Sequence, residues 1–356
     1  MKNHNFSAGP SILPQEVFEK AAQAVLNLDN MGLSILEISH RSTEFTAILE
    51  EAKSLVLELM NLKNKDYEVL FLQGGASMEF LRVPYNLLAQ NQTACYLDTG
   101  NWAANAIKEA KAFGTIEVIG SSKDKNYNYI PTNYLIPKNA IYFHCTSNNT
   151  IYGTQIHAFP QTEVPIICDM SSDIFSRTMN YSQFNLIYAG AQKNMGPAGV
   201  TLVVLKKEIL GKSGREIPSI LDYQKHIDAK SMFNTPPVFA IYTSLLNLKW
   251  LKKNGGIEAI AKKNEQKASL LYSEIDRNSL FEGTANTADR SMMNITFVLK
   301  DLENAKKFAE ICEDKGISGI IGHRSVGGYR ASLYNAMPIE SVEVLVNAMQ
   351  ELEDNK

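Results

Sequence analysis

The sequence predicts an α/β protein: a large domain with a mostly parallel seven-stranded sheet covered by helices, plus a smaller α+β carboxy-terminal domain. Three observations lead there. Short apolar runs alternate with helical repeats along much of the chain, the pattern of βαβ units. Several of those runs are continuously apolar, as strands covered on both faces are. The 356 residues exceed one small core and suit two domains, at roughly 100–200 residues each.

The elements follow in order. Pro14 fits a first helical position, and residues 15–28 repeat apolar side chains at helical spacing. An amphipathic helix covers 43–60. Strands at 68–72, 94–97 and 115–119 alternate with a helix after Ser77 and another over 102–112. Further strands are expected at 140–145, 165–168, 186–188 and 200–205. The pattern turns helical over 238–250, Lys252-Lys253-Asn254-Gly255-Gly256 breaks it, and a helix over 257–277 follows. The remainder reads as strand 292–298, helix 302–315, strand 329–334 and helix 340–353. This division makes 1–13 an amino-terminal segment near the site and the small domain, 14–254 the large, site-bearing domain, and 255–356 the small one.

Composition narrows the function. Hydrophobic residues at 45% and charged residues at 21% suit an ordinary globular protein, and a net charge of -3 provides no positive field for nucleic acid or an anionic membrane. No run approaches the ~18 consecutive apolar residues of a membrane span. Met1 to Pro10 has no apolar stretch of the signal-peptide kind. Cys95, Cys145, Cys168 and Cys312 lie far apart without a CxxC pair and read as buried, reduced thiols. A cytoplasmic location is the default expectation, and no metal site is expected. Internal repeats, low-complexity tracts and long charge runs are absent from the sequence.

The chemistry concentrates in Ile187-Tyr188-Ala189-Gly190-Ala191-Gln192-Lys193-Asn194-Met195-Gly196. Lys193 follows an apolar strand and sits among small residues that leave room for something bulky. Upstream, Ile166-Ile167-Cys168-Asp169 delivers a carboxylate at the end of another apolar run, where open α/β sheets bind ligands. A carboxylate there can hold a protonated ring nitrogen, and a neighbouring lysine can form an imine with an aldehyde. Together they suggest pyridoxal phosphate. Phe71-Leu72-Gln73-Gly74-Gly75-Ala76-Ser77 offers a strand, two glycines and a helix start that could cradle its phosphate, although Gly-Gly is also an ordinary tight turn. Trp102 opens a helix just past a strand and could stack on a cofactor ring or pack in the core.

Arginine usage adds a further clue. The chain has 27 lysines but eight arginines, and His40-Arg41, His323-Arg324 and Arg330 lie in segments unlike exposed helix faces. A planar guanidinium binds carboxylate or phosphate bidentately, so a doubly anionic substrate is expected, with structural ion pairs as the alternative.

Six blocks together carry a resemblance: Asn5-Phe6-Ser7-Ala8-Gly9-Pro10, Ser39-His40-Arg41-Ser42, Gln73-Gly74-Gly75-Ala76-Ser77, Gly100-Asn101-Trp102, Gln192-Lys193-Asn194, and Gly322-His323-Arg324-Ser325-Val326-Gly327-Gly328-Tyr329-Arg330-Ala331-Ser332 with Tyr334-Asn335-Ala336-Met337-Pro338. They span the chain and resemble the phosphoserine aminotransferase family, within the class V aminotransferases. The resemblance implies fold type I of the pyridoxal phosphate enzymes and a homodimer with interfacial sites. It also implies amino transfer from glutamate to 3-phosphohydroxypyruvate, giving 2-oxoglutarate and phosphoserine, and use of a related vitamin B6 precursor remains open. It further implies that Lys193 carries the cofactor and moves the proton, Asp169 pairs with the ring nitrogen, Trp102 stacks over the ring, and Thr150 bonds its hydroxyl. Ala76, Ser77, Ser171 and Gln192 would surround the cofactor phosphate, with Asn234 and Thr235 reaching across from the partner subunit. Arg330 would clamp the substrate carboxylate, and His40, Arg41, His323 and Arg324 would receive its distal anion. Some members carry an arginine after the glycines, which Gly75-Ala76-Ser77 lacks. The rival readings are an alanine–glyoxylate aminotransferase, a cysteine desulfurase, disfavoured because Cys312 sits in a helical phrase, and a catalytically silent binding protein.

Overall fold

The computed structural model describes residues 3–355. In chain order its elements are β1 (His4–Asn5), α1 (Gln15–Leu26), α2 (Thr43–Leu59), β2 (Tyr67–Leu72), α3 (Gly75–Leu87), β3 (Thr93–Asp98), α4 (Asn101–Ala110), β4 (Thr115–Ser121), β5 (Phe143–Thr146), β6 (Asn148–Asn149), β7 (Thr154–Gln155), β8 (Ile166–Asp169), β9 (Leu186–Gly190) and β10 (Thr201–Lys206). They continue with α5 (Tyr223–Asp228), α6 (Val238–Lys253), α7 (Gly256–Arg277), β11 (Phe281–Gly283), β12 (Asn294–Leu299), α8 (Ala305–Asp314), β13 (Ile317–Ser318), β14 (Tyr329–Ser332) and α9 (Ile339–Asp354).

Seven strands form the main sheet in the order β2-β10-β9-β8-β5-β3-β4. β10 runs antiparallel to both neighbours, and the remaining pairings are parallel. This is the mostly parallel sheet that the continuous apolar runs predict. β5, β8 and β9 are buried at every residue, whereas edge strand β4 is largely open. On one face Phe143, Cys145 and Ile187 pack with Phe45 and Leu49 of α2 and Ile241 and Leu245 of α6. On the other, Ile167 and Tyr188 pack with Phe80 and Val83 of α3 and Ile107 of α4. All four cysteines are free and buried.

A second core lies between the antiparallel sheet β11-β12-β14 and helices α7, α8 and α9, around Leu271, Phe297, Phe308 and Leu345. α7 serves both cores: Ile257 and Ile260 belong to the first, Leu271 and Ile275 to the second. The amino-terminal segment joins the second core through Phe6, because β1 pairs in parallel with β13 at His4↔Ile317. Among the described residues, no helix is long and apolar enough to cross a membrane.

Several local expectations shift. Pro14 caps α1 from outside, with ψ 142, instead of forming its first turn. α1 stops at Leu26 because Asn27 turns extended and donates back to the Gln23 carbonyl, leaving Leu28 in a separate short turn. The strand expected at 140–145 starts at Phe143, since Ala140 closes a turn onto the Pro137 carbonyl. The 302–315 helix opens as a 3-10 turn capped by the Asp301 side chain. β1, β11, β13 and α5 are too short to show a hydrophobic period and were not expected.

Lys267 of α7 is 2% exposed and donates to the carbonyls of Leu333 (3.1 Å) and Tyr334 (2.8 Å), with no carboxylate among its bonded partners. Burial pushes its amine from the usual 10.5 down to about 7. Below the folded value the amine is charged in both states and the burial penalty is fully present. The folded state therefore gains stability as pH rises from about 7 towards 10.5. Urea unfolding across that range should show this gain, and Lys267→Met, which has no proton to lose, should show a smaller one. An identical pH slope in the variant would contradict a buried, titrating Lys267.

Candidate active site

Three neighbouring parallel strands, β5, β8 and β9, end side by side. Their register pairs Thr146 with Asp169 and Asp169 with Tyr188. Strand alternation puts Thr146 and Asp169 on the face that carries Ile167 and Tyr188, under α3 and α4. One cavity opens at this edge, and eight of the sequence-predicted residues line it: Lys193, Asp169, Trp102, Thr150, Ser171, Gln192, Ala76 and Ser77. The four separate sequence features thus meet on one rim.

Local backbone explains how each side chain arrives. Gly74, at φ 107, reverses the chain between β2 and α3, a conformation that costs glycine little. No side chain caps α3, so its first N–H groups, at Gly75, Ala76 and Ser77, remain available to an anion. After β9 the Gln192 side chain folds back over Gly190, where an added Cβ would come within 2.7 Å of its Oε1. Residues 9–11 run along the same turn: Ser11 N–H donates to the Gln192 carbonyl (3.0 Å), and the Ser11 hydroxyl donates to the Lys193 carbonyl.

The electrostatics centre on Lys193 and Asp169. Nζ of Lys193 donates to Thr150 Oγ1 at 2.8 Å and lies 5.7 Å from the Trp102 ring centroid. Burial pushes its amine down to about 8, against the pull of Asp169, and Arg330 lowers it further. Asp169 is 5% exposed; burial raises its carboxyl, while hydrogen bonds from Ser171 and the charge of Lys193 oppose the rise. Its Oδ1 accepts from Ser171 N (2.9 Å) and Ser171 Oγ (2.6 Å). The pair can therefore present a partly neutral amine and an acid group to one ligand.

A cationic rim adjoins the cavity. Arg330 of β14 donates to the Thr150 carbonyl at 3.4 Å, and its Nε is buried without a partner. His323 bonds Ser325, which Asn101 at the start of α4 also reaches, so the 322–328 loop sits beside the helix that carries Trp102. Burial, then Arg330 and Arg324, lower the His323 imidazole. Among the described residues, Arg41, Arg324 and Arg330 make no ion pair, whereas Arg82, Arg177, Arg277 and Arg290 each pair with a carboxylate. His40, Arg41, Asn234 and Thr235 do not line their own chain's cavity. Asn234 instead donates to Gln73 Oε1, and Gln73 donates to the Thr235 carbonyl, both 2.8 Å, at the strand end before Gly74.

Sequence reasoning missed four lining residues: Phe80, Thr146, Asn148 and Ser172. Thr146 was accessible in principle, because it ends an apolar run as Asp169 does. Asn148 and Ser172 bear no such mark. Beneath the cavity, His144 stacks on Tyr96 (4.6 Å between centroids) and bonds the Tyr188 hydroxyl at 2.9 Å. Burial pushes that imidazole down to about 3, so it stays neutral.

The model of the Aminotransferase class-V family matches residues 3–345. A curated phosphoserine aminotransferase of Flavobacterium psychrophilum is 66% identical over 354 residues, covering 99% of each chain. The solved phosphoserine aminotransferase of Bacillus circulans subsp. alkalophilus superposes with a TM-score of 0.96 at 44% identity, covering 99% of both chains. The chain belongs to the phosphoserine aminotransferase family of class V. A further relative, the PLP-bound enzyme of Trichomonas vaginalis, has a TM-score of 0.92 at 34% identity, covering 98% of this chain and 100% of that one. Like other class V aminotransferases, this chain is a transaminase with pyridoxal phosphate as cofactor. Its residues fit that group. Two buried polar atoms of the wall, Trp102 Nε1 and Thr146 Oγ1, lack partners, and an uncapped helix start and a carboxylate lie at the same cavity.

An amine held near 8 by burial dictates a pH dependence. Apoenzyme mixed with pyridoxal phosphate should develop its visible absorbance band faster as pH rises, with a midpoint near about 8. A rate flat through that range would show that burial does not hold Lys193 down.

Proposed function

We propose that the chain transfers an amino group from glutamate to 3-phosphohydroxypyruvate, yielding 2-oxoglutarate and phosphoserine. The single observation that carries this is one cavity joining a partly neutral lysine, a buried aspartate and, at its edge, an arginine with no carboxylate partner. Pyridoxal phosphate, when bound, supplies an electron sink through its protonated ring nitrogen.

The chain's own residues supply the rest. Asp169 would hold that nitrogen with its negative charge, and Ser171 fixes the carboxylate's orientation. Nζ of Lys193, uncharged in part near neutral pH, would carry a proton away from the α carbon of the amino donor in one half-reaction and deliver a proton to the α carbon of the acceptor in the other. Thr150, bonded to Nζ, fixes where that amine waits. Trp102 would cover the ring and exclude water from one side. Ala76, Ser77, Ser171 and Gln192 would surround the cofactor phosphate, joined by Asn234 and Thr235 of the partner subunit.

Arg330 takes the carboxylate next to the reacting carbon, which both substrates share. His323 and Arg324, with His40 and Arg41, receive the phosphate of one substrate and the distal carboxylate of the other. The exposure of Arg41, Asn234 and Thr235, with half-buried His40, away from their own cavity supports a homodimer in which they serve the neighbouring site. Exposed Phe18, Leu26, Met31, Leu33 and Leu36 provide apolar surface for such an interface. The same anion pair suits the longer phosphorylated hydroxy keto acid of vitamin B6 synthesis. Four buried free thiols suit a reducing, cytoplasmic setting.

A coupled assay with phosphoserine and 2-oxoglutarate tests the reading: turnover should exceed that with alanine and glyoxylate, and the reverse order would reject it. Lys193→Ala should abolish turnover and the visible band. Arg330→Gln should raise KM for both amino acids by about tenfold or more, since a charge-assisted hydrogen bond contributes about 1.5–3 kcal/mol; an unchanged KM would remove Arg330 from the carboxylate site.

A further inference from the structure

Besides the Trp102 indole N–H, one polar group in the cavity wall has no partner. Thr146 closes β5, is 3% exposed and lines the cavity, yet its hydroxyl has no hydrogen-bond partner. The neighbouring wall groups are engaged. Asn148 donates to Ser172 Oγ and Asn294 Oδ1, Ser172 donates to the Asn148 carbonyl, and Thr150 accepts from Lys193. Buried hydroxyls are normally satisfied, so an orphan in a ligand cavity is a candidate for a bond completed when the cavity is filled.

Position identifies the partner. Thr146 and Asp169 are register partners on adjacent parallel strands, whose backbones lie about 4.8 Å apart, with both side chains on the same face. Both Ser171 donors bond Oδ1 of Asp169, and among the described residues none bonds Oδ2. A hydroxyl without an acceptor thus stands beside a carboxylate oxygen without a donor. A staggered χ1 rotamer of Thr146 that turns its hydroxyl along the sheet points it toward the Asp169 strand.

We propose that Thr146 is a positioning residue for Asp169: with cofactor seated, its hydroxyl donates to Oδ2 and, with Ser171 on Oδ1, fixes the carboxylate plane against the ring nitrogen. A donor at that oxygen favours the ionised carboxylate in a site where burial disfavours it. Thr146 therefore acts on how tightly the cofactor is held and on the pH range over which Asp169 keeps its charge. This rests on the assignment of the cavity to pyridoxal phosphate.

Thr146→Val and Thr146→Ser separate the hydroxyl from the methyl. Valine keeps the shape and loses the donor, and serine does the opposite. Apoenzyme of each, and of the wild type, is titrated with pyridoxal phosphate and followed by visible absorbance, with thermal midpoints recorded to confirm folding. The Kd should rise about tenfold in the valine variant and stay within roughly twofold of wild type in the serine variant, the effect of one bond to a charged group. The spectrum of the bound cofactor should also become more pH-sensitive with valine alone. Equal Kd in valine and wild type, or a loss in serine as large as in valine, would overturn the proposal, the second by showing that methyl packing is what matters. Failure of the wild-type apoenzyme itself to bind would overturn the cavity's assignment and this inference together.

Discussion

The site depends on the removal of an amine and an acid from water at the ends of adjacent strands. Burial disfavours the charged form of both, lowering Lys193 and raising Asp169, while their mutual attraction works against each shift. For Lys193 burial wins, leaving the amine near 8, and Arg330 pushes the same way. Solvent at this position would restore an ordinary, fully protonated lysine that could not act as a base. The apolar strands around the pair thus have a chemical consequence as well as a structural one.

That arrangement must be held rigidly, and a chain of amide and hydroxyl bonds does so across the two cores. Asn148 in the cavity wall donates to Asn294 and accepts from Ser291; Asn294 donates in turn to Ser332 and the Tyr334 hydroxyl, and Tyr334 donates to the Ala8 carbonyl. A second chain runs from Asn264 to Asn335 and from Asn335 to Asn194, one residue past Lys193. These buried networks are satisfied at nearly every step, and their bonds are directional, unlike apolar packing. They fix β14, and with it Arg330, against the Thr150 loop. Arg330 is therefore placed by one core, and Lys193 and Asp169 by the other.

Charge is distributed with the same economy. Four arginines are neutralised in ion pairs and Arg215 is spent on the carbonyls of Leu88 and Phe113, while Arg41, Arg324 and Arg330 keep their charge unpaired among the described residues. The three unpaired arginines are the ones whose sequence context lies outside exposed helix faces, and the structure adds that, among the described residues, they have no carboxylate partner.

The sequence alone determined the sheet's character, the identity of Lys193 and Asp169 as strand-end groups, and the glycine turn before α3, because each depends on local pattern: continuous apolar runs, small residues beside a lone lysine, and a reversal that favours glycine. It could not reveal the β1–β13 pairing, where two residues carry no period and their partner lies more than three hundred positions away. Nor could it show that Thr146 shares a register with Asp169, that Asn148 and Ser172 line the same wall, or that Asn234 and Thr235 turn away from their own cavity. Those facts follow from strand register and the packing of distant segments, which depend on the sum of long-range contacts and leave no local mark in the chain.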